Sequence, residues 1–594
     1  MTPGGNSRAA KGGSHLEGQK QHAWAILCDI RSVQRYIFSG SKLSTHIGAS
    51  HNTANLFRDV MCGVLDEMVQ KGRLKKTGTM AEWRDAWTKL QEHETYDHFE
   101  DGDDFIVAQI GGGKIILLFR PELATEDDQS LLKDVIHTFT KTVLCRYPGL
   151  KTGAVIHDVI LDEDFFKRGG YDHGIEVLFK ALHENQDTVY PVVSPPYTGL
   201  TLTCPVNGEP ATHYDADGMI DPDGAPQFFS QEVYAKAAAA KETNSIIQHR
   251  FFQKENIFYE FPMEFEQLGQ KEGESYIAVV HIDGNKMGIK FQGCTTWGKY
   301  NQTAKSVQES TKQAFRELVK YIADRYEAWQ SSGDLFLDGT HLPIRPLILG
   351  GDDVAFVCTA KIALEATKFY MESLLHPKDP SMMPIYSCAG IAIIPEKYPF
   401  FRGYELAEQL CSEAKKKSRG VPDADGNTPD ACWLDFAVLH GEQEPELAEI
   451  RAQEYGAMRG SLHFGPYLVA QSEDAPAKDN FFHVDHLLEC IQKLRKGMEK
   501  GREGGIPQGK LKEMRFVLAH DVHAEKAFLE QLDHLRMHLP EVAGWEGFQK
   551  SLWQPSPDGK GEVTPYVDAV EMLDFTMNTP DEAETAEEVA ADDD

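Results

Sequence analysis

The sequence has no long apolar run. None of its 594 residues lies in a stretch that approaches the roughly 18 consecutive apolar residues of a membrane-spanning helix. The first residues, MTPGGNSRAAKGGSHLEGQKQHA, also lack the apolar core of a signal peptide. We therefore expect a cytoplasmic protein with no membrane partner.

Cysteine and positive charge are both scarce. The ten cysteines include no CxxC pair, which is typical of buried thiols in a reducing compartment, so we expect no disulfides and no intact cysteine zinc site. The 60 Lys and Arg residues face 92 Asp and Glu residues, giving a net charge of −32. This charge repels polyphosphate backbones and disfavours a tight autonomous nucleic-acid binder, although a local basic groove stays open.

Apolar runs predict a first α+β unit over residues 23–190. AWAILCDI is typical of a buried strand, and a helical stretch follows it. DFIVAQI and KIILLF are joined by Gly111, Gly112 and Gly113, which indicates a β-hairpin. A helix over 127–146 and the strand TGAVIHDVIL complete the unit.

Residues 273–440 repeat this order. SYIAVVHI predicts a strand that ends at Asp283, a long amphipathic helix follows over 302–330, and LPIRPLIL and VAFVC flank a GGDD turn. A helix, the strand SCAGIAII, another helix and the strand CWLDFAVL come next. Strand, helix, hairpin, helix, strand is the split βαβ order of an antiparallel sheet. We therefore predict an α+β fold with two ferredoxin-like (βαββαβ) domains.

The remaining segments differ in composition. Residues 191–272 begin with a stretch rich in Pro, Gly, Asp and Thr and predict a connector with a helix. Residues 441–577 show apolar residues at helical spacing and predict a helical C-terminal domain. Residues 1–22 and the acidic tail 578–594 predict disorder, because neither has enough apolar content to fold.

Three aspartates are predicted to meet at one edge of the second domain. The end of its first strand neighbours the tip of its hairpin, which places Asp283 beside Asp352 and Asp353. Such a cluster is unfavourable unless cations neutralise it, and oxygen-only ligands suit Mg²⁺ or Mn²⁺. Two metals so held activate a ribose hydroxyl and stabilise a leaving pyrophosphate. The pattern predicts a nucleotidyltransferase that binds metal and a nucleoside triphosphate.

Glycines and basic residues surround this triad. The residues predicted to contact the nucleotide are Gly284, Asn285, Gly350, Gly351, Lys415 and Arg419. The glycines allow a nucleotide to approach the backbone closely, and the two basic residues lie one helical turn apart, where they can meet a triphosphate. GGDD alone is equally typical of an exposed hairpin, and basic residues are common at helix C-termini.

Several motifs resemble one protein family. IDGNKMG and LILGGDDVAF resemble the second palm domain of the large polymerase-cyclase subunit of type III CRISPR effector complexes. CDIRSVQRYIFSGSKLSTHIGAS resembles the start of that family's first palm, and GGGKIILLF resembles its degenerate hairpin, which lacks the acidic pair. AEQLCSEAK with Arg419 is also similar to the phosphate-binding helix of GGDEF-type diguanylate cyclases. The resemblance covers residues 23–440.

The resemblance implies a function and a set of partners. It implies two palms that face each other around one ATP cleft, with the second palm joining ATP into cyclic oligoadenylates that act as second messengers on a downstream effector. It also implies CRISPR RNA–protein effector subunits and target RNA as partners. By motif matching, Asp283, Asp352 and Asp353 would be the metal ligands, and Lys415 and Arg419 would hold phosphate. Asn285 stands where the family often has another aspartate.

Two departures from the family pattern carry expectations of their own. The first palm starts near residue 23, so we expect no HD nuclease domain and no cleavage of single-stranded DNA by that route. TCPVNGEPAT resembles the family's zinc module but keeps only Cys204, with Asn207 in place of the second cysteine, so zinc is expected to be lost. We interpret the HD dipeptide at His520–Asp521 as a chance occurrence.

Three functions stay open on the sequence alone. The first is a metal-dependent nucleotidyl cyclase or oligonucleotide synthetase that uses ATP. The second is a scaffold subunit of an RNA-guided complex whose palm site is incidental. The third is a template-directed palm polymerase, which would require a basic template channel that the net charge disfavours.

Overall fold

The computed structural model describes most of the chain between residues 21 and 577. The described residues are 21–85, 99, 101–162, 164–167, 169, 172–188, 199–220, 226–252, 255, 257–270, 275–380, 382–419, 430–441, 446–471, 480–498, 504–557, 559 and 561–577. Residues 1–20 and the acidic tail 578–594 lie outside them. Within the described part of the chain, no helix is both long and apolar enough to cross a membrane.

The strands and helices predicted for residues 23–190 and 273–440 occur in the predicted order, whereas the short strands in residues 191–272 and 441–577 were not predicted. The strands are β1 Gln21–Arg31, β2 Phe105–Gly111, β3 Lys114–Phe119, β4 Lys151–Leu161, β5 His213–Asp215, β6 Gln227–Phe229, β7 Tyr276–Gly284, β8 Ile344–Gly350, β9 Asp353–Thr359, β10 Ser387–Pro395, β11 Ala431–Val438, β12 Gly460–Ser461, β13 Tyr467–Gln471, β14 Gln554–Pro555 and β15 Glu562–Val563. The helices are α1 Val33–Phe38, α2 Leu43–Asn55, α3 Cys62–Gln70, α4 Met80–Arg84, α5 Ser130–Arg146, α6 Ile175–Thr188, α7 Gln231–Phe252, α8 Met287–Gln292, α9 Trp297–Ser332, α10 Ala363–Leu375, α11 Phe400–Ser418, α12 Leu447–Glu454, α13 Val484–Gly497, α14 Gln508–Leu518, α15 Val522–His534 and α16 Tyr566–Met572. A π-helical segment, Leu56–Met61, joins α2 to α3.

The first sheet has the strand order β2-β3-β1-β4, with β1 antiparallel to both neighbours. This is the order of a βαββαβ fold. Because side chains alternate between the faces of a strand, Trp24 and Ile26 join the main core, whereas Ala25 and Leu27 pack in a separate cluster on the other face. That second cluster includes Trp297, the first residue of α9, and so links the two palms.

The second sheet repeats the order and extends it. Its strands lie in the order β13-β11-β10-β7-β9-β8, of which β10-β7-β9-β8 form the βαββαβ core. The added strand β11 runs parallel to β10, and β13 pairs with β11. The sheet therefore draws one strand from the segment 441–577, which the helical spacing alone did not indicate. The predicted fold class, two ferredoxin-like palm domains with a helical C-terminal part, is confirmed.

The connector helix α7 packs directly against α2 of the first palm. A Cβ on Gly48 of α2 would lie 1.7 Å from the carbonyl oxygen of Lys236, so the two helix backbones are in direct contact there. The side chain of Lys236 is fully buried and donates to the carbonyl of Tyr36 at 2.5 Å and to Oγ of Ser39 at 2.8 Å. Glu232 pairs with it at 2.6 Å and balances its charge.

A buried ion cluster joins the second palm to the C-terminal helices. Nε2 of His463 lies 2.7 Å from Oδ1 of Asp435 on β11, and its Nδ1 lies 3.0 Å from Oδ1 of Asp568 on α16. Arg451 also contacts Asp435, at 3.1 Å. Burial and Arg451 lower the pKa of His463, but the two carboxylates outweigh them, so its pKa lies above the usual value.

We expect His463→Gln to destabilise the protein more at pH 6 than at pH 9. A raised histidine pKa contributes stability that is fully present below the unfolded pKa of about 6.5 and is lost as the pH rises through the folded pKa. The loss at pH 6 should be about 3 kcal/mol, since the variant removes a cation from beside the buried Asp568 and Asp435, and Arg451 contacts Asp435 but not Asp568. The measurement is the unfolding midpoint of each protein between pH 6 and pH 9. The exposed His520→Gln serves as the control variant. A gap that stays constant with pH would contradict the charged state of His463.

Candidate active site

Antiparallel pairing brings the predicted aspartates to one edge of the second sheet. β7 pairs with β9 so that Ile282 lies opposite Val354, which sets the end of β7 beside the start of β9. Asp283 therefore neighbours Asp353, and Asp352 lies in the preceding turn. All three side chains are partly buried. The structure thus brings together the carboxylates that the sequence predicted, although 69 positions separate Asp283 from Asp352.

The turn itself is held by glycine and by the long helix. Gly350 pairs with Asp353 across the hairpin, and Gly351 has a φ of 71°, a left-handed conformation that favours glycine. Oγ1 of Thr311 on α9 donates to the carbonyl of Gly351 at 2.6 Å. The helix therefore fixes the position of the acidic turn.

Gly284 lies where the neighbouring side chains leave no room for a Cβ atom. A Cβ at this position would lie 2.9 Å from Cβ of Asp352 and 3.0 Å from Cγ of Met287. The predicted nucleotide contact of Gly284 is untested, but its absent side chain is what lets Asp352 approach the end of β7.

Crowding and burial raise the pKa of both turn carboxyls. Burial raises the pKa of Asp352 to about 6, and the neighbouring Asp283 adds to the rise. Burial also raises the pKa of Asp353 to about 7, with Asp283 and Asp352 as the next causes. Oδ1 of Asp353 is buried and accepts no hydrogen bond from the described residues. A cation would remove this repulsion and supply a partner to that oxygen, so the residues fit a divalent metal.

As they stand, however, the side chains do not form a complete metal site. Within the described ranges, no three His, Cys, Asp or Glu side chains are grouped so as to hold an ion. Asp283 is engaged by another cation, because Nζ of Lys415 on α11 forms an ion pair with its Oδ2. The metal role of the triad stays a prediction that requires Asp283 to exchange Lys415 for the ion.

Lys415 and Arg419 have different positions. Lys415 contacts Asp283 directly, whereas Arg419 is an exposed residue just past the end of α11. The predicted phosphate contacts of both residues are untested. The lysine of this pair lies within the carboxylate cluster, where an incoming triphosphate would be its alternative partner.

We expect Lys415→Met to change two affinities in opposite directions. Freeing Asp283 should tighten Mn²⁺ binding by about tenfold, because a competing cation is removed, while losing the ammonium should weaken nucleoside triphosphate binding by about tenfold. The Mn²⁺ affinity is measured without nucleotide, by a titration monitored by electron paramagnetic resonance. The triphosphate affinity is measured with a fluorescent nucleoside triphosphate. Lys416→Met is the matched control, since Lys416 pairs with Glu413 on the helix surface. Two affinities that fall together would contradict this assignment.

Asn285 has a structural role in the fold. Its Nδ2 donates to the carbonyl of Ala431 at 2.9 Å, and its backbone N–H donates to the carbonyl of Tyr386 at 2.7 Å. The side chain thereby ties the end of β7 to the start of β11. Its predicted contact with nucleotide is untested, and the donor half of its amide is already in use.

His281 is a neighbour of the site that the sequence reasoning missed. Its Nδ1 lies 3.5 Å from Oδ1 of Asp353 and 3.3 Å from the hydroxyl of Tyr404. Burial lowers the pKa of His281 to about 4, so the ring is neutral at neutral pH and does not form an ion pair with Asp353. A signal was available, because His281 lies two positions before Asp283 on a strand and so shares its face.

The hairpin of the first palm lacks a matching acidic pair. Asp29 lies near the end of β1, the strand that corresponds to β7 in the second palm. It lies opposite Lys114 of β3, and the two side chains form an ion pair at 3.4 Å. The position is thereby neutralised within the protein. This agrees with the degenerate character that the resemblance implies for GGGKIILLF.

A cavity of about 260 Å³ separates the two hairpins. The first palm contributes Gly112 and Lys114, and the second contributes Asp352. Phe291 and Tyr300, whose ring centroids are 5.0 Å apart, line the same cavity. This cavity is suited to a nucleotide, because aromatic rings stack on bases and a lysine attracts phosphate. The acidic turn lies at the same cavity.

Residues 276–421 match the family model described as Cas10/Cmr2, second palm domain. This segment is therefore similar to Cas10/Cmr2 second palm domains. It contains the triad, the turn glycines and both predicted phosphate contacts. The recognition made from the IDGNKMG and LILGGDDVAF motifs is confirmed by this match.

Solved structures similar to this chain come from Csm1 and Cmr proteins. The crystal structure of Csm1 in T. onnurineus is 14% identical, with 94% of this chain and 70% of that chain covered and a TM-score of 0.49. The Csm1-Csm4 cassette in complex with pppApApA is 13% identical, with 94% and 70% covered and a TM-score of 0.47. The Type III-B Cmr-beta structure bound to cognate target RNA is 11% identical, with 94% and 83% covered and a TM-score of 0.42. Curated proteins give no significant match.

The weaker sequence signals have structural explanations. The carboxylate of Asp521 caps α15 by accepting from the backbone N–H of His523 and Ala524, both at 3.0 Å. Asp521 of the HD dipeptide is thus a helix cap. All ten cysteines carry free thiols, and Cys204 is buried in a small apolar cluster with Phe229.

Proposed function

We propose that this protein is a nucleotidyltransferase that converts ATP into cyclic oligoadenylate-type second messengers in type III CRISPR-like antiviral defence. The observation that carries the proposal is the position of Asp352 and Asp353 beside Asp283, in a segment similar to Cas10/Cmr2 second palm domains. Oδ1 of Asp353 accepts no hydrogen bond from the described residues, which leaves it able to bind a cation. The reaction is attack of a ribose 3′-hydroxyl on the α-phosphate of a second nucleotide, with pyrophosphate as the leaving group. Under the same proposal, its partners are the other subunits of an RNA-guided effector complex and target RNA.

The chain's own residues bind and orient the nucleotides. Lys415, which pairs with Asp283 in this structure, would pair with the triphosphate instead, and the exposed Arg419 would add a second phosphate contact. Phe291 and Tyr300 stack on a base in the cavity between the palms. A bound divalent ion, held by Asp283, Asp352 and Asp353, supplies the positive charge that activates the hydroxyl and stabilises the leaving group.

A scaffold subunit is the second candidate, and one observation favours it. The ion pair between Lys415 and Asp283 satisfies the triad's first member without any ligand. A scaffold would keep this pair permanently, and the carboxylates would then contribute nothing to turnover. A template-directed polymerase has no comparable observation in its favour, because the chain carries a net charge of −32.

The deciding experiment is an assay of turnover with each nucleoside triphosphate. Purified protein is incubated with ATP, GTP, CTP or UTP and Mg²⁺ or Mn²⁺, alone and with its guide and target RNA complex, and the products are separated by mass. Cyclic or short linear adenylates formed only with a divalent metal support the synthetase. Absence of any product in the complete RNA-activated complex supports the scaffold, and products whose sequence copies an added template support the polymerase.

A further inference from the structure

A second, larger cavity lies at the other end of the central strands. It measures about 550 Å³ and lies between the second palm and the C-terminal helices. Tyr276 at the start of β7 and Thr359 at the end of β9 line it, whereas Asp283 and Asp353 lie at the opposite ends of these strands. At about 3.3 Å per residue, the two places are roughly 20 Å apart. The cavity is therefore separate from the proposed active site.

Cations from three different elements converge on this cavity. They are Lys361 after β9, Arg495 on α13, and Lys512 and Arg515 on α14. Three carboxylates also line it, which are Asp334, Glu571 and Asp574. One of these is already neutralised, because Glu571 pairs with Arg515 at 2.6 Å. Among the described lining residues, Lys and Arg therefore outnumber Asp and Glu by four to three.

Arg495 is a half-buried cation that donates its hydrogen bonds to uncharged groups. Its guanidinium donates to the carbonyl oxygens of Leu573 and Met577, both at 2.5 Å, and to the carbonyl and Oγ1 of Thr576 at 2.9 and 2.7 Å. Among the described residues, no carboxylate lies within 4 Å of it. These bonds fix the guanidinium at the cavity wall, where the charges of Asp334, Asp574 and Glu365 balance part of its own.

The rest of the wall is apolar and aromatic. The rings of Tyr276 and Phe575 have centroids 5.1 Å apart at 63°, and Leu335 and Val570 line the same space. Lys512 at the rim is exposed, and no described residue pairs with it. Ligand cavities of about 300–1,000 Å³ are typically apolar with a few charged groups that orient the ligand. Inorganic phosphate alone would leave the aromatic wall unused.

We propose that this cavity binds a nucleotide, with its phosphate at Arg495 and Lys512 and its planar base against Tyr276 and Phe575. The ligand class follows from a fixed arginine and an exposed lysine that line the same cavity as two aromatic rings. The site does not use the aspartate triad, so it stands independently of the proposed synthetase activity. It adds a non-catalytic nucleotide site at the junction of the palm and the C-terminal helices.

The test is to measure, by calorimetry, the binding of AMP to the full chain in the presence of EDTA. Without divalent metal, Lys415 balances only part of the charge of the three aspartates, which disfavours phosphate there, so binding at the second cavity dominates. Saturable binding is expected, and Lys512→Glu should weaken it by tenfold or more. Lys526→Glu, on the exposed face of α15, is the matched control and should leave the affinity unchanged. Equal affinities in the two variants would overturn the proposal.

Two further measurements keep the result independent of folding. Photolabelling with 8-azido-AMP should modify peptides that contain Tyr276 or Phe575, and labelling confined to the Phe291–Tyr300 region would overturn the site. Val570→Trp should fill the cavity and abolish labelling, with the unfolding midpoint showing that the variant is folded. Inorganic phosphate that competes as well as AMP would contradict the role of the aromatic wall.

Discussion

Replacing both turn aspartates, Asp352→Asn with Asp353→Asn, is expected to reduce metal-dependent nucleotide turnover by about a thousandfold or more. The two carboxylates are the predicted ligands whose charge holds the ion, and losing the ion's stabilisation of the transition state costs several kcal/mol. The readout is pyrophosphate release under saturating ATP and Mg²⁺, in the presence of the activating RNA complex.

The same variant should be more stable than the natural protein when metal is absent. Burial and repulsion raise the pKa of Asp352 to about 6 and that of Asp353 to about 7. Each carboxyl group therefore binds a proton more readily in the folded protein than in the unfolded chain. A raised carboxyl pKa means that stability falls as the pH rises from the unfolded pKa to the folded pKa. Asparagine removes this loss, and the unfolding midpoint at pH 8 in EDTA should therefore rise.

Asp324→Asn is the control for the double variant. Asp324 pairs with Lys320 on the exposed face of α9, far from the hairpin turn. Its turnover and its unfolding midpoint should match those of the natural protein. Full turnover in the double aspartate variant would show that the triad is not the catalytic site, whatever product the protein makes.

Gly284→Ala is expected to lower turnover by about a hundredfold although it adds a single methyl group. The new Cβ would lie 2.9 Å from Cβ of Asp352, so the acidic turn must move. The contact is with the base of the side chain rather than a flexible end, and displacements of about 1 Å in an active site cost on the order of 10²-fold. The accompanying loss of stability should be only about 1–3 kcal/mol.

Gly288→Ala provides a matched comparison four residues further along. A Cβ there meets nothing within 4 Å, so this variant should retain turnover. Steady-state kinetics and unfolding midpoints of the two variants separate a displaced turn from a general effect of losing glycine. Equal turnover in both would contradict the close approach of Asp352 to β7.

Local patterns in the sequence were sufficient for the order of elements. The run AWAILCDI became the buried centre of β1, and the two apolar runs around the GGDD turn became β8 and β9. Apolar run length and turn glycines act over a few residues, so they can be read without tertiary information. The placement of Asp283 beside Asp353 followed from the strand order of the predicted fold.

Side-chain partners from distant parts of the chain could not be read in the same way. The ion pair of Lys415 with Asp283 spans 132 positions, and the hydrogen bond of Asn285 to Ala431 spans 146. The first places a cation within the predicted metal cluster, and the second gives a predicted nucleotide contact a structural role. No periodicity or motif encodes which lysine meets which carboxylate.

By itself, the sequence determined an acidic hairpin turn beside an acidic strand end, in a chain with two βαββαβ units. Only the tertiary structure decided that Lys415 holds Asp283, that His281 lies behind Asp353, and that β13 completes the second sheet. It also created the cavity at Arg495, whose lining comes from segments more than two hundred residues apart. Strand and turn propensities are local, whereas ion pairs and cavities depend on how separate elements pack.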